Sequence, residues 1–316
     1  MQRLELEEAR DKINRIISEI KKAVIGKTWE IKLAVATLLI EGHLLIEGVP
    51  GTGKTLLAKS LARVFGGKYG RIQGHPDILP SDILGFHIYR LDGTKEFIPG
   101  PIMSNIVLFD ELNRAPTRSQ SALIEPMQEY QVTVDGLTYL LPRPFIVIAT
   151  EVPAEYAMGS YKIMETVGDR FAVKIKSTYN PLDEEALIVE KSDIISEKSV
   201  KPVMSPEELL ALKESLPSIV YVDKNIIYYM LNIIKYVREH ESTAYGPSHR
   251  AAIHLMKIAR VIALMDGRDH VIPDDVKVVA KNVIAHRVHL KEEYSVEGVT
   301  GEEIVEEALS RVPVPK

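Results

Sequence analysis

The chain has 316 residues, 46% hydrophobic and 26% charged, with a formal net charge of −5 and no cysteine. That composition is globular and fills one large or two ordinary domains, and it excludes a disulfide framework, a thiolate metal site and a secreted, disulfide-stapled fold. Charges of both signs are interspersed without a long basic stripe, which argues against direct nucleic-acid binding.

The N-terminus, "MQRLELEEARDKINRIISEIKK", is charged throughout and lacks the apolar centre of a signal peptide. Ile13, Ile16, Ile17, Ile20 and Val24 share one helical face, so residues 1–24 predict a core-facing helix. The best apolar run, "LAVATLLI", is too short to cross a bilayer. No membrane insertion is expected, and the setting is read as reducing and cytoplasmic. From 44 to 176 the strand-like runs "LLIEG", "NIVLFDE", "PFIVIAT" and "FAVKIK" alternate with helical segments, which predicts an α/β layer with a mainly parallel sheet. Two stretches centred on Asp-Gly, "FHIYRLDGTKEFIPGP" and "YQVTVDGLTYLLPRP", read as inserted β-hairpins. Beyond "STYNPLDEEA" the pattern is almost wholly helical, and Asn180-Pro181 marks the boundary. The division is an α/β nucleotide-binding domain over 1–180 and an all-α domain over 181–316.

"EGVPGTGKTLLAKSLARVFG" carries the strongest chemical signal. Gly48, Gly53, Lys54 and Thr55 fit G-x-x-x-x-G-K-[ST] between a strand and a helix, where loop amides and a helix N-terminus converge on phosphate. The expected cradle is Gly48, Pro50, Gly51, Thr52, Gly53, Lys54, Thr55 and Leu56, with Lys54 on the β- and γ-phosphates of ATP and Thr55 on Mg²⁺. "NIVLFDE" then predicts a buried strand delivering two carboxylates to the ligand-binding edge of the sheet. Asp110 is assigned to the Mg²⁺ shell and Glu111 to orienting water for attack on the γ-phosphate.

The loop, "DELNRAP", "FIPGPIMSN", "RIQGHPDILPSDILG" and "IPDDVK" together resemble the MoxR family of AAA+ ATPases, over about residues 23–290. The resemblance implies a P-loop AAA+ core followed by a helical lid, assembly into a ring that is usually hexameric, and ATP-driven remodelling of a protein client. It further implies that the client carries a von Willebrand A domain, and that the two hairpins reach partners. By the same resemblance, Ile25 and Gly26 in "AVIGK" lie near the adenine, Arg170 in "GDRF" is an arginine finger acting in trans, and Arg250 in "GPSHRA" is the sensor 2 arginine that contacts the γ-phosphate of its own subunit. Arg114 either acts in trans or caps a helix.

The sequence departs from the family pattern at sensor 1, where "ATEVP" places Val152 at a position that holds asparagine. Thr150 or Glu151 is then the nearest substitute, or hydrolysis is slow. The following "AEYAMGSYKIMETVGDRF" also differs from the family's usual run. A nucleotide-gated scaffold with little hydrolysis and a nucleic-acid-linked motor are the alternatives to a remodelling ATPase. His286 and His289 have helical spacing and read as lid residues rather than metal ligands, and Tyr221, Tyr228, Tyr229 and Tyr236 read as lid packing.

Overall fold

In the computed structural model, which describes residues 2–153 and 159–315, a five-stranded parallel sheet forms the centre of the α/β region. Its strands are β1 (His43–Gly48), β2 (Tyr69–Gln73), β5 (Ile106–Asp110), β8 (Ile146–Glu151) and β9 (Phe171–Ser177), in the order β2-β5-β8-β1-β9. Four match the predicted runs, while the edge strand β2 was not anticipated. Its polar and apolar residues alternate and Gly70 interrupts them, as suits a strand with one open edge. The first five residues of the segment after sensor 1, 154–158, lie outside the described residues.

Alternate residues of the central strands feed two different cores. Leu44, Ile46, Ile106, Leu108, Ile146 and Ile148 face the helices Gln2–Ile20, Thr28–Leu39 and Lys54–Val64. Leu45, Val107, Phe109, Val147 and Ala149 face the other side, where Ile83, Leu123 and Met127 complete a second core. The helical region joins the first of these cores through His249–Met265 and Pro273–Ile284, so it stacks behind one sheet face. Ile13, Ile16, Ile17, Ile20 and Val24 are all buried there, and the first helix packs on His249–Met265. Of the four tyrosines read as packing, Tyr229 is buried, whereas Tyr221 and Tyr228 are exposed because they stand on outward faces.

Both Asp-Gly stretches form antiparallel hairpins: β3 (Gly85–Tyr89) with β4 (Lys95–Pro99), and β6 (Gln131–Val134) with β7 (Leu137–Leu140). In the second, Asp135 and Gly136 both take positive φ, the backbone that a two-residue hairpin turn requires. The hairpins are joined to each other. His87 lies 2.9 Å from Asp135 Oδ2 and 2.8 Å from the Tyr139 hydroxyl, and Phe97 stacks on Tyr139 at 4.0 Å.

Candidate nucleotide-binding site

β1 ends at Gly48, the chain turns, and the helix Lys54–Val64 begins after Gly53, whose φ of 85° an L side chain tolerates poorly. A Cβ built on Gly51 or Gly53 meets nothing within 4 Å, so open space lies over the loop amides and the helix N-terminus. Lys54 Nζ donates to the carbonyls of Gly48 at 3.0 Å and Val49 at 2.6 Å, and to Thr52 Oγ1 at 3.3 Å. Burial pulls its pKa down while the carboxylates of Asp110 and Glu111 oppose that pull. An anion above the loop offers this ammonium a stronger partner than the neutral carbonyls it now holds.

Asp110, the last residue of β5, and Glu111 just after it line the same cleft as the loop. Asp110 Oδ2 accepts from Arg71 at 2.7 Å, and Oδ1 accepts from the Thr150 hydroxyl at 2.8 Å. That hydroxyl also accepts from the Glu111 backbone N–H at 2.8 Å, fixing a residue whose φ of 58° is unusual for a side chain with a Cβ. Glu111 Oε2 lies 3.2 Å from Gln73 Nε2 and 3.2 Å from Arg114 Nε. Arg114 is therefore paired with Glu111 of its own chain.

Gly48, Pro50, Gly51, Thr52, Gly53, Lys54, Thr55 and Leu56 line one cleft of about 320 Å³ together with Asp110 and Glu111. Thr55 and Asp110 bring a hydroxyl and a carboxylate to it, a hard-oxygen pair that fits Mg²⁺. A second recess of about 380 Å³ shares Gly51, Thr52, Gly53 and Leu56 with the cleft and is walled by Val24, Ile25, Ile188 and Val189. Its apolar walls suit a flat base and the first cleft suits phosphates, so the two adjoining spaces have the character of a nucleotide site. Gly26, beside this recess, has φ 68°, and a Cβ there would stand 2.0 Å from Glu184 Oε2. Asn180 Nδ2 donates to Ile25 O at 3.1 Å and to Glu184 Oε2 at 2.8 Å, which ties this segment to the helix Leu182–Glu190.

The segment read as sensor 1 is held through its backbone. Asn113 grips the backbone of Val152, donating to its carbonyl at 3.0 Å and accepting from its N–H at 3.3 Å. Both proposed substitutes are engaged: Thr150 is shared between Asp110 and Glu111, and Glu151 Oε1 lies 2.6 Å from Lys174 Nζ. Burial pulls Lys174 down, but Glu151 and Glu47 outweigh it and hold the ammonium above the usual lysine range.

Arg170 and Arg250 are not brought to this cleft. His43 pairs with Phe171 and Gly48 with Ser177 along two parallel strands, so the residues just before β9 lie at the edge opposite the loop. Five residue steps at about 3.3 Å each separate the two edges by roughly 17 Å. Arg250 pairs there with Asp169, and Arg170 Nη2 donates to Gln128 Oε1 at 2.5 Å. The expectation that Arg250 meets the γ-phosphate of its own chain is corrected: the helix His249–Met265 stacks behind the sheet, and its first turn reaches the far edge.

Arg71, Gln73 and Asn113 were not assigned roles by sequence reasoning. Arg71 and Gln73 alternate along β2, and Gln73 stands opposite Asp110 in register, so recognising that strand was the missing signal. His286 bonds the Phe171 carbonyl at 3.0 Å, whereas His289 stacks on Tyr245 at 4.2 Å. Among the described residues no three metal-ligating side chains cluster, and no helix is long and apolar enough to cross a membrane.

Comparison with known proteins places this geometry in context. Residues 43–173 match the family described as ATPases associated with various cellular activities, and residues 235–308 match the AAA lid domain. The uncharacterized protein YeaC of Bacillus subtilis is 41% identical, the alignment covering 96% of this chain and 95% of that one. Chaperone MoxR1 of Mycobacterium tuberculosis is 36% identical over 96% of this chain and 82% of its own length. A crystal structure of a protein from Cytophaga hutchinsonii superposes with a TM-score of 0.90 at 35% identity, covering 99% of this chain and 97% of that one.

Proposed function

The chain belongs to the MoxR family of AAA+ ATPases, and from that premise we propose that it hydrolyses ATP within a hexameric ring of identical subunits and uses lid movement to remodel a protein client. The observation that carries the reading is the convergence of Lys54, Thr55, Asp110 and Glu111 on one cleft beside an apolar recess. The proposed division is a nucleotide-binding domain over 1–180 and a lid over 181–316, with the base recess walled from both.

Lys54 exchanges its two loop carbonyls for the β- and γ-phosphates. Mg²⁺ held by Thr55 and Asp110 would neutralise charge on the same oxygens. Glu111, steadied by Gln73 and Arg114, orients a water and takes its proton as the water oxygen bonds to the γ-phosphorus and the β–γ bridge breaks, giving ADP and phosphate. Arg170 and Arg250 lie too far to serve their own cleft, and we assign both to the site of the adjacent subunit, where paired guanidinium groups stabilise the transferring phosphoryl group. The site is then complete only at a subunit interface, which favours a closed ring of heterologous contacts.

The relative named Chaperone MoxR1 supports a client that is a protein, and the family resemblance suggests one with a von Willebrand A domain. The coupled hairpins are the proposed client-facing surface, and cytoplasmic action is proposed with it. A nucleotide-gated scaffold is the second reading, favoured by Val152 and by the engaged side chains of Thr150 and Glu151.

The test is ATP turnover per subunit against protein concentration, with Arg170→Ala doped into the wild-type protein. Turnover that climbs with concentration and falls with added variant is expected. Tight ATP binding with flat, near-zero turnover, also in the presence of client, would select the scaffold instead.

A further inference from the structure

We infer that Asp169 is the positioning residue through which the lid sets the arginines that act on the neighbouring subunit, an inference that rests on the ring reading above. Three lid residues from two separate places in the sequence converge on this one carboxylate. Ser248 Oγ donates to Oδ1 at 2.8 Å and to Oδ2 at 3.0 Å, Arg250 Nη1 donates to Oδ2, and Arg287 Nε donates to Oδ1 at 3.2 Å. Ser248 caps the N-terminus of the helix His249–Met265, while Arg287 follows the C-terminus of Pro273–Ile284, so two lid helices meet at Asp169.

Arg287 does more than neutralise the carboxylate. Its side chain is 1% exposed, and Nη2 donates to the Asp169 carbonyl at 3.0 Å and to the Phe171 carbonyl at 2.5 Å. The two carbonyls flank Arg170, so a buried lid guanidinium grips the backbone on both sides of the predicted finger. A buried charge of this kind is expensive unless fully hydrogen-bonded, and a rigid fork held by several acceptors resists small displacements. A shift of the lid by a fraction of an ångström therefore moves the backbone of Arg170 rather than only its side chain.

The charges point the same way. Asp169 is one anion among Arg170, Arg250 and Arg287, a surplus of two positive charges at an edge where Arg250 is 37% exposed. Burial and the adjacent Arg250 charge lower the Arg170 pKa, and Asp169 opposes them. Asp169 keeps two like-charged groups side by side without using up their charge, which an incoming polyphosphate can then satisfy.

The experiment uses Asp169→Asn, which keeps shape and removes charge, in purified full-length protein. We expect kcat to fall about tenfold or more with the KM for ATP little changed, because the phosphate loop is untouched and the trans-acting arginines serve the transition state. The decisive readout is complementation. Asp169→Asn leaves a subunit's own cleft intact and Glu111→Gln leaves its trans-acting arginines intact, so an equal mixture of the two impaired proteins should reach about a quarter of wild-type turnover in randomly assembled rings. Arg170→Ala mixed with Glu111→Gln is the control for the ring itself.

Wild-type turnover in Asp169→Asn overturns the inference. So does an impaired Asp169→Asn that Glu111→Gln cannot rescue although Arg170→Ala is rescued, since Asp169 is then merely structural. Failure of the control removes the ring reading and this inference with it. Should Asp169→Asn not fold, Ser248→Ala, which retains the charges, is expected to lose about twofold to tenfold in kcat and, in the same mixture, to exceed the turnover that dilution by Glu111→Gln alone would leave; unchanged turnover in it also overturns the inference.

Discussion

Thr150 donates its hydroxyl proton to Asp110 Oδ1 across 2.8 Å, and the same oxygen receives the N–H of Glu111 at 2.8 Å. One side chain on β8 thus sets both acidic residues at the end of β5, one assigned to metal and one to water. Thr150 is 1% exposed, so water does not replace it when it is removed.

Thr150→Val should therefore leave the Glu111 amide unpaired, at a cost of about 1–3 kcal/mol in stability. Turnover should fall about tenfold to a thousandfold as Glu111 loses its set orientation, while Thr150→Ser restores most of it. Steady-state kinetics alongside a urea melt separate the two effects, and equal turnover in the valine and serine variants would contradict the assigned role.

The two cleft residues with charge roles should separate binding from chemistry. Among the described residues lining the phosphate cleft Lys54 is the only ammonium, and Lys54→Ala should abolish measurable ATP binding. Glu111→Gln keeps the shape and the Gln73 contact but not the base, so binding persists and turnover drops about a hundredfold to ten-thousandfold. Fluorescent-nucleotide titration and phosphate release measure each separately; normal turnover in Glu111→Gln rules out its role.

Gly26 offers a test of the base recess that leaves the phosphates alone. Alanine there takes on the strain of φ 68° and drives its Cβ into the Asn180–Glu184 pair, which must move. The φ strain burdens the free and the bound protein alike, so the affinity change comes from the displaced pair: a reshaped recess that loses about 1–2 kcal/mol of base contact weakens ATP binding by about fivefold to thirtyfold. If isothermal titration shows unchanged ATP affinity, the recess does not hold the base.

The cleft was readable because its parts are contiguous in sequence. The phosphate loop is an eight-residue pattern, Asp110-Glu111 closes a wholly apolar strand, and each hairpin announces itself by Asp-Gly. β2 was missed because an edge strand needs no continuous apolar run, and with it went Arg71 and Gln73, whose partners lie 39 and 38 residues away. Arg250 was placed at the wrong edge for a related reason. A local motif says that a helix starts at Ser248, but only the packing of Ile13, Leu255 and Val279 into one core decides which end of the sheet that helix reaches.

Three imidazoles that burial holds neutral, His43, His254 and His286, govern how the fold responds to acid. His43 Nε2 lies 2.9 Å from the Met127 carbonyl and Nδ1 accepts from Val147 N–H at 3.1 Å, so the ring is satisfied when neutral, and burial pushes its pKa down to about 4. His254 accepts from Arg287 at 2.9 Å, and burial, reinforced by the Arg287 charge, lowers it to about 2. In the unfolded chain both rings titrate near 6.5. Above that pH neither state binds the proton, and the stability due to these rings is complete. As pH falls below 6.5 the unfolded state takes up protons that the folded state refuses, so stability is lost from 6.5 down to about 4 for His43 and further for His254. Each ring contributes a slope of about 1.4 kcal/mol per pH unit within its window. Urea midpoints should be flat from about pH 8 to 7 and decline from about 6.5 to 5, with a shallower decline in His43→Gln, whose amide can still accept from Val147 and donate to Met127. A midpoint that does not move over the lower interval would mean that these rings protonate as freely in the folded protein as in the unfolded chain.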